Sequence, residues 1–536
     1  MPSRPALRRP LLVGAAALAA AAMSACGTRL HDSAFQAQTV TQSTAASQAA
    51  PGAVQPGGST DTTATQAPGA VTNTGLPGAI TPTQGPGGGV LPTSGTVTSA
   101  PPGSHTSTTP GGPQPSGGTT SSVPAGKNTA SDRGVTPTSI TVGNIVTTGG
   151  PFGPDEFSAN VWGAKAYFAD LNAHGGINGR QINFVPCQDT SGTLDGVSSC
   201  VHQLIDQSKI FAFVANNVFQ YGGADYVNSQ NVPDVGGEQI DLAYLQYPAL
   251  FTILGDSAPR DGKHQGDNGV GYGSDELALW YKQNLGVTKV GIVFYDQASS
   301  RYGANQFVQN FTVAGVPAKT YVVNLGLPNF ASTVAQMKND GVDIVMDALD
   351  LNGNQKLCQA MESDSSFMKT VKAKVSTIST WTQSVGSAFA NTPNCLAKIY
   401  SGGKSANYAD TSNPEVARFR AAMKKYFPTR EPKMAQWTLE GWAAADWFTS
   451  AAKSCGANLT RVCVEKWLNT PNQDLTAHGL LSPDVTFTPK TKAQMTGQEH
   501  ECLSVVQWDT GSGTWATKAA PANTCFESQG YAYNLQ

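Results

Sequence analysis

The chain has 536 residues, and its 34 Lys and Arg nearly balance its 37 Asp and Glu, for a net charge of −3. The sequence holds no basic stripe interleaved with aromatic residues, so no nucleic-acid partner is expected. The length exceeds what one hydrophobic core usually supports and predicts more than one domain.

The first residues are typical of an export signal. Arg4, Arg8 and Arg9 precede an apolar run over 11–22, which is too short to span a bilayer and indicates the hydrophobic region of a signal peptide. The run ends in Met-Ser-Ala-Cys-Gly, which resembles a bacterial lipobox with Met23 in place of the usual Leu. We predict a lipoprotein signal peptide over 1–25 and acylation of Cys26, which would anchor the chain firmly. The alternative is an ordinary signal peptide followed by a chance cysteine.

The next segment has the composition of a disordered tether. Between Asp32 and Lys127 the sole Asp, Glu, Lys or Arg is Asp61, and the sole aromatic residue is Phe35. Such a segment cannot bury enough apolar surface to offset the entropy of ordering it. We therefore predict a Gly/Pro/Ser/Thr-rich tether over 26–133 that holds a domain away from a membrane. A low-complexity insert without function is the alternative.

Strand and helix patterns alternate from residue 134 onward. Ile140, Val142 and Ile145 indicate a strand, a Gly/Pro loop follows over 149–154, and apolar residues at steps of three and four predict a helix from 157 to 171. A tight Asn-Gly turn leads to a second strand over 181–185. Such a βαβ unit predicts a parallel sheet, in which ligands bind outside the carboxyl ends of the strands.

The alternation continues in two series. Strands are predicted over 210–214, 232–235 and 251–254, and then over 289–294, 321–324, 342–348 and 374–379, with helices between them. A polar, Gly-rich stretch over 261–273 separates the two series. Its GVGYG resembles a phosphate loop but does not directly follow a strand, so we predict a mobile loop between two lobes.

Several segments together resemble a known family. They are GAKAYF, NAHGGINGR, DQASSRYGAN, GVDIVMDALDLNGNQKLCQAM, SGGKSANYADTSNPEVARFRAAMKKY, MAQWTLEGWAAADWFTSAA and LSVVQWDTGSGTW. In this order they resemble the branched-chain amino-acid binding proteins of ABC importers, which are type I periplasmic binding proteins.

The resemblance implies an α/β fold with two doubly wound parallel-sheet lobes joined by a three-crossing hinge. The crossings would fall near Gly255, Gly402 and Gly497. The implied segments are a first lobe over 134–256, a second lobe over 257–401, the rest of the first lobe over 402–497, and a closing hairpin with the C-terminal segment over 498–536.

Eight cysteines remain once Cys26 is set aside. An even number in an exported chain predicts disulfides, although the sequence does not fix their connectivity. Pairing of sequence neighbours is the simplest scheme. It gives Cys187–Cys200, Cys358–Cys395, Cys455–Cys463 and Cys502–Cys525. The cysteines lack zinc spacing and the seven His are scattered, so no metal is expected.

The sequence gives little support for catalysis. It has no G-x-S-x-G, no H-E-x-x-H and no Walker loop. His500, Glu501 and Cys502 resemble a nucleophile cluster, but they lie in an alternating strand and Cys502 is assigned to a disulfide. We expect a protein that is not an enzyme and needs no cofactor.

Candidate ligand contacts follow from the ends of the predicted strands. In the first lobe they are Thr147, Thr148, Gly150, Phe152, Asn216, Asn217, Gly236 and Gly237. In the second lobe they are Tyr302, Asp350, Thr380 and Trp381. Tyr302 matches the ligand-contacting Tyr of the family that the chain resembles. The alternatives are a helix N-cap for Asp350 and a core aromatic for Trp381.

One departure from the family bears on the ligand. Its amino-acid binders place a Glu after the strand equivalent to 374–379, whereas residues 380–383 here are Thr-Trp-Thr-Gln. An ammonium group in a closed cleft needs a charged or well-placed polar partner. This departure therefore argues against a plain α-amino acid, and amides, urea-like molecules, aromatic acids or other small polar metabolites fit equally.

The resemblance implies a monomeric, lipid-anchored extracytoplasmic protein that binds a small polar ligand, such as an amino acid, an amide or a related metabolite, and delivers it to an ABC permease. The alternative is a ligand-sensing module that signals through a membrane partner.

Overall fold

The computed structural model describes residues 127–150, 155–259 and 269–535. The predicted signal peptide, the lipid site at Cys26, the predicted tether as far as residue 126, and Phe152 lie outside the described residues. Within these ranges, no helix combines the length and apolar character needed to cross a membrane.

Five parallel strands form the first sheet, in the order β2-β1-β3-β4-β5. The strands are β1 (Ser139–Thr147), β2 (Gln181–Asp189), β3 (Ala212–Val214), β4 (Asp234–Gly237) and β5 (Leu250–Thr252). The helices between them are α1 (Ala159–Ala173), α2 (Leu194–His202), α3 (Ala224–Ser229) and α4 (Ala243–Gln246), and a π-helical turn, Gln203–Gln207, extends α2. The βαβ alternation read from the sequence is thus confirmed, and we call this sheet with its helices the first lobe.

The chain then builds a second sheet of seven strands. Strand β6 (Val270–Ser274) precedes this sheet and is not part of it. The first five strands of the sheet in chain order are β7 (Val290–Tyr295), β8 (Ala318–Val323), β9 (Ile344–Ala348), β10 (Ala373–Val375) and β11 (Ile399–Gly403). The helices are α5 (Glu276–Leu285), α6 (Ala298–Val313), α7 (Phe330–Asn339), α8 (Leu351–Ser363), α9 (Ser365–Thr370), α10 (Val385–Ala388) and α11 (Pro393–Leu396). The strand predicted over 374–379 ends early, because a 3-10 turn, Ile378–Thr380, follows β10 closely.

The last part of the chain contributes to both lobes. Its helices are α12 (Pro414–Tyr426), α13 (Gln436–Cys455), α14 (Arg461–Leu468) and α15 (Lys492–Met495), and its strands are β12 (Gln498–Cys502), β13 (Ser504–Asp509), β14 (Thr514–Ala519) and β15 (Cys525–Asn534). Helices α12 and α13 pack on α1 of the first lobe. Strands β13 and β14 extend the second sheet to β14-β13-β11-β10-β9-β7-β8, and this sheet with its helices is the second lobe.

The second sheet differs from the fully parallel sheet expected. β13 runs antiparallel to β11, and β14 runs antiparallel to β13. The short connection between β13 and β14 accounts for the second of these pairs, since a tight hairpin joins only antiparallel strands. The chain passes between the lobes three times, after β5, after β11 and again before β13.

The prediction of a mobile loop over 261–273 is wrong for its last residues. Val270–Ser274 is strand β6, which pairs with β15 in a third sheet, β12-β15-β6. The register places Gly271 opposite Tyr533 and Gly273 opposite Tyr531. A Cβ atom at either glycine would lie within 2.8 Å of the facing tyrosine side chain. The glycines therefore make room for cross-strand tyrosines, as glycines in strands commonly do.

Close helix packing fixes the first lobe. α1 and α13 approach until a Cβ at Gly163 would lie 1.8 Å from the carbonyl oxygen of Thr438. A Cβ at Gly441 would lie 2.1 Å from the carbonyl oxygen of Asn160. Most of α13 is buried, including Trp442 and Trp447. These contacts hold α1 against α13, which in turn packs on β4.

Four disulfides join the pairs of sequence neighbours that were expected: Cys187–Cys200, Cys358–Cys395, Cys455–Cys463 and Cys502–Cys525. The first ties β2 to α2, and the last ties β12 to β15. This connectivity confirms the simplest pairing scheme.

Candidate functional site

A cavity of about 430 Å³ lies between the two lobes. Its wall includes residues that follow β4 and β5 in the first lobe, and residues that follow β9, β10 and β11 in the second. These are the carboxyl ends of parallel strands, where ligands of open α/β sheets bind. The volume suits a small organic ligand.

Aromatic and apolar side chains form much of this wall. Phe157, Phe219 and Trp437 come from the first lobe, and the centroid of the Phe157 ring lies 5.9 Å from that of Phe219 and 5.7 Å from that of Trp437. Tyr295 and Phe307 face them from the second lobe. A wall of this kind can bury a hydrocarbon or aryl group of a ligand.

Two of the candidate ligand contacts line the cavity, Tyr302 and Asp350. The Tyr302 hydroxyl lies 2.6 Å from the side-chain nitrogen of Gln239, which donates to it from the first lobe. Gln239 also accepts a hydrogen bond from Ser257, at 3.2 Å. Tyr302 therefore takes part in a polar contact that bridges the lobes.

The first-lobe candidates lie among buried partners instead of in the cavity wall. Asn216 donates to Tyr221 and Asp234, each at 2.9 Å, and accepts from the backbone of Ile145. Asn217 donates to Asn160 at 2.7 Å. A role of Asn216 and Asn217 in ligand contact stays a prediction.

The other candidates are also outside the wall. Thr147 and Thr148 donate to Asp189 at 3.2 and 3.3 Å, and Gly150 lies against the backbone of the loop after β2. The remaining glycines and the second-lobe pair are packed against the protein. Gly236 packs against Ala444 and Gly237 packs against Tyr244, and the side chains of Thr380 and Trp381 are fully buried. Their contact with a ligand likewise stays a prediction.

Asp350 combines the two roles considered for it. Its carboxylate accepts from the backbone N–H of Gly353 at 2.9 Å and so caps helix α8. It also accepts from the Tyr295 hydroxyl at 2.6 Å while lining the cavity. The cap holds this carboxylate in place at the edge of the cleft.

Glu156 lines the cavity, although it is absent from the candidate contacts taken from the sequence. It precedes α1 in the first lobe, and its carboxylate accepts hydrogen bonds from the Ser379 hydroxyl and the Leu351 backbone in the second lobe. Burial, and then the charge of Asp350, raise the pKa of Glu156 to about 7. The available signal was its position directly after the Gly/Pro loop at a strand end, the edge where ligands bind.

A second charged group lies where the chain crosses between the lobes. Lys404 follows β11, and its ammonium nitrogen lies 2.7 Å from Asp484, 2.7 Å from Glu501 and 3.2 Å from Glu276. Burial raises the pKa of Glu501 to about 9, with Lys404 opposing this shift and the hydrogen bond to Asp484 adding to it. The pKa of Asp484 is lowered despite its burial, by Glu501 and Lys404. The pKa values of these two carboxyl groups are thus shifted in opposite directions.

A metal site finds little support in the part of the chain that is described. His500, Cys502 and Cys525 offer ligand atoms within 4.8 Å of one another. Both sulfurs are joined in a disulfide, and a disulfide provides no thiolate ligand.

Comparison with known proteins agrees with this architecture. The profile of the family described as periplasmic binding protein matches residues 139–514. No curated protein matches the chain.

Solved structures resemble the chain over its folded part. A solute-binding protein of an ABC transporter from R. palustris, in complex with 4-hydroxybenzoate, has 15% identity and a TM-score of 0.54, covering 73% of this chain and 98% of its own. A leucine binding protein from Thermotoga maritima has 13% identity and a TM-score of 0.53, covering 72% and 99%. A fatty acid ABC transporter substrate-binding protein from Thermomonospora curvata has 14% identity and a TM-score of 0.51, covering 74% and 94%.

At these identities the structural likeness establishes the fold and leaves the ligand open. The two lobes, the three passages between them and the cavity at the strand ends agree with the type I periplasmic binding protein fold that the sequence suggested. With a family profile that matches residues 139–514, the chain belongs to the periplasmic binding protein family.

Proposed function

We propose that the chain is an extracytoplasmic solute-binding protein that takes up a small polar ligand, such as an amino acid, an amide or a related metabolite, between its lobes and delivers it to an ABC permease. The observation that carries the proposal is the cavity of about 430 Å³, whose wall comes from both lobes at the ends of their parallel strands. Membership of the periplasmic binding protein family supports it.

The geometry favours a clamp. Two contacts cross the cleft at the cavity wall, one from Gln239 to Tyr302 and one from Glu156 to Ser379. Both join side chains at strand or helix ends, which lobe closure can bring together or separate without disturbing either sheet. Hinge closure around a ligand is the usual behaviour of such two-lobed binders.

The proposal includes the anchoring and the boundaries suggested by the sequence. Cys26 would carry the lipid, residues 26–126 would form the tether, and the protein would act as a monomer at the outer face of the cell membrane. The end of the tether predicted at residue 133 is wrong, because residues 127–133 bond to the folded domain, for example through the Ser131 hydroxyl, which donates to the Leu459 carbonyl oxygen at 2.6 Å. The lobes would be bounded near residues 256, 401 and 497. The absence of an enzymatic role is also part of the proposal.

Two measurements test the function. Mass spectrometry of the purified mature chain under native conditions should detect a bound small molecule, which is then released and identified. Small-angle scattering should show a smaller radius of gyration when that molecule is returned to the stripped protein, because it favours the closed state. A chain that carries no small molecule and is not compacted by any member of a metabolite panel would contradict the proposal.

A further inference from the structure

The described wall of the cavity is rich in carboxyl groups and poor in available cations. Its basic residues, among those the structure describes, are Lys404 and Lys490. Lys404 is held by three carboxylates, and Lys490 pairs with Glu499 at 2.6 Å. A ligand carboxylate could therefore reach either ammonium group only in competition with carboxylates that already bind it.

Glu156 and Asp350 bring two like charges together from opposite lobes. No Lys, Arg or His of the described residues forms an ion pair with either carboxylate, whose partners are hydroxyl and backbone N–H groups. Two carboxylates that share a partly buried site repel each other, and a cation between them relieves this repulsion. The site between them is thus complementary to a positive charge.

Two backbone donors at this point are already engaged. Helix α8 begins here, and its N–H groups at Leu351 and Gly353 bond to Glu156 and Asp350 respectively. A ligand carboxylate would therefore meet two negative groups at this helix end. Such a juxtaposition of like charges disfavours a ligand by several kcal/mol.

A second acceptor in the same wall points the same way. Glu276 is 8% exposed, and its Oε2 atom has no hydrogen-bond partner among the described residues. A buried acceptor without a donor is rare in native proteins. An N–H group of a bound ligand would satisfy it.

The aromatic wall fits the same chemistry. Phe157, the residue after Glu156, and its neighbours Phe219 and Trp437 form a ring cluster in the cavity. Aromatic faces attract ammonium groups and bury hydrocarbon equally well.

We propose that the ligand is an organic amine with an apolar body and no carboxylate, whose ammonium group binds between Glu156 and Asp350. This inference rests on the proposed function, because it specifies the ligand of the same cavity. It separates the chain from binders of carboxylic acids and of amino acids, both of which carry an anionic group that these two carboxylates would repel.

Matched probes test the assignment by isothermal titration at pH 8 with the stripped mature chain. Phenethylamine, phenylalanine and 3-phenylpropionate share one aromatic skeleton, and 3-methylbutylamine, leucine and 4-methylpentanoate share one aliphatic skeleton. We expect at least one amine to bind at least tenfold more tightly than its zwitterionic and anionic counterparts. Tighter binding of an acid or an amino acid, or no binding of either amine, overturns the inference.

A pair of variants locates the charge. Glu156→Gln keeps the shape and the hydrogen-bond acceptor and removes the negative charge, so amine affinity should fall at least tenfold. Asp155→Asn is the matched control, because Asp155 is exposed, pairs with Arg430 and does not line the cavity. Equal affinity in Glu156→Gln and wild type overturns the assignment.

The two levels of the proposal fail in different ways. A carboxylate or amino acid identified as the co-purified molecule overturns the amine assignment and leaves the solute-binding function standing. The function itself fails only if no small molecule co-purifies and none compacts the protein.

Discussion

Replacement of Glu156 by Gln should stabilise the ligand-free protein at alkaline pH. The pKa of Glu156 is raised from its usual 4.5 to about 7, mainly by burial and then by the charge of Asp350. This difference corresponds to about 3 kcal/mol of disfavoured ionisation. The folded chain holds the proton to about pH 7, while the unfolded chain releases it near pH 4.5. The stabilisation from the proton is therefore full at low pH and is lost as the pH rises from about 4.5 to about 7.

The substituted glutamine has no proton to lose, so the Glu156→Gln variant should escape this penalty. At pH 8 the variant should be more stable than wild type by up to about 3 kcal/mol, and at pH 5 by less than about 1 kcal/mol. For roughly 400 folded residues, an unfolding entropy near 2 cal/mol/K per residue converts 3 kcal/mol to about 4 °C in the thermal midpoint. The pH dependence distinguishes this effect from a simple packing change.

The assay is thermal unfolding of the stripped mature chain followed by circular dichroism at pH 5 and pH 8. The control is Asp155→Asn, whose carboxylate lies in an exposed ion pair with Arg430 and should change the midpoint little at either pH. A Glu156→Gln midpoint at or below that of wild type at pH 8 would refute the account of a buried, repelled carboxylate. An equal gain at pH 5 and pH 8 would show that charge is not the cause.

Four further outcomes are expected. Tyr302→Phe removes the hydroxyl that accepts from Gln239 across the cleft and should weaken ligand binding by about 1 kcal/mol; full ligand-induced compaction with unchanged affinity would exclude this contact from closure. Gly163→Ala places a Cβ 1.8 Å from the Thr438 carbonyl oxygen and should lower the unfolding free energy by about 3 kcal/mol. The control Gly303→Ala, whose Cβ would have its nearest neighbour at 3.6 Å, should leave the unfolding free energy nearly unchanged. Similar melting of both variants would contradict the close contact between helices α1 and α13. Replacing Cys187 and Cys200 together by Ala should cost about 3 kcal/mol in denaturant unfolding, and a midpoint equal to that of wild type would remove this bridge from the stabilising contacts. Cys26→Ser should release the protein from the membrane fraction, and unchanged detergent-phase partitioning would rule out Cys26 as the lipid site.

The order of elements was readable from the sequence because it is a local property. Apolar spacing marked helix α1, and β-branched runs bounded by Gly marked strands such as β1. Cysteine parity and order led to the disulfide connectivity, since short loops favour bridges between sequence neighbours. The rule for strand ends located the cavity, because it depends only on the direction of the parallel strands.

Long-range pairing decided what the local patterns missed. The Gly-rich segment Val270–Ser274 reads as a loop on its own, and it is a strand because β15, about 260 residues later in the chain, pairs with it and places Tyr531 and Tyr533 over its glycines. The antiparallel edge of the second sheet likewise depends on a hairpin from the end of the chain.

The orientation of side chains at the strand ends was also decided by tertiary structure. Asn216 and Glu156 both lie at an edge that the sequence marks for ligand binding. The amide of Asn216 bonds inward to Tyr221 and Asp234, whereas Glu156 crosses to Ser379 and Leu351 of the other lobe. A strand-end rule gives the edge of the sheet, but the partner that each polar group finds there comes from residues distant in sequence, and burial makes that partner necessary.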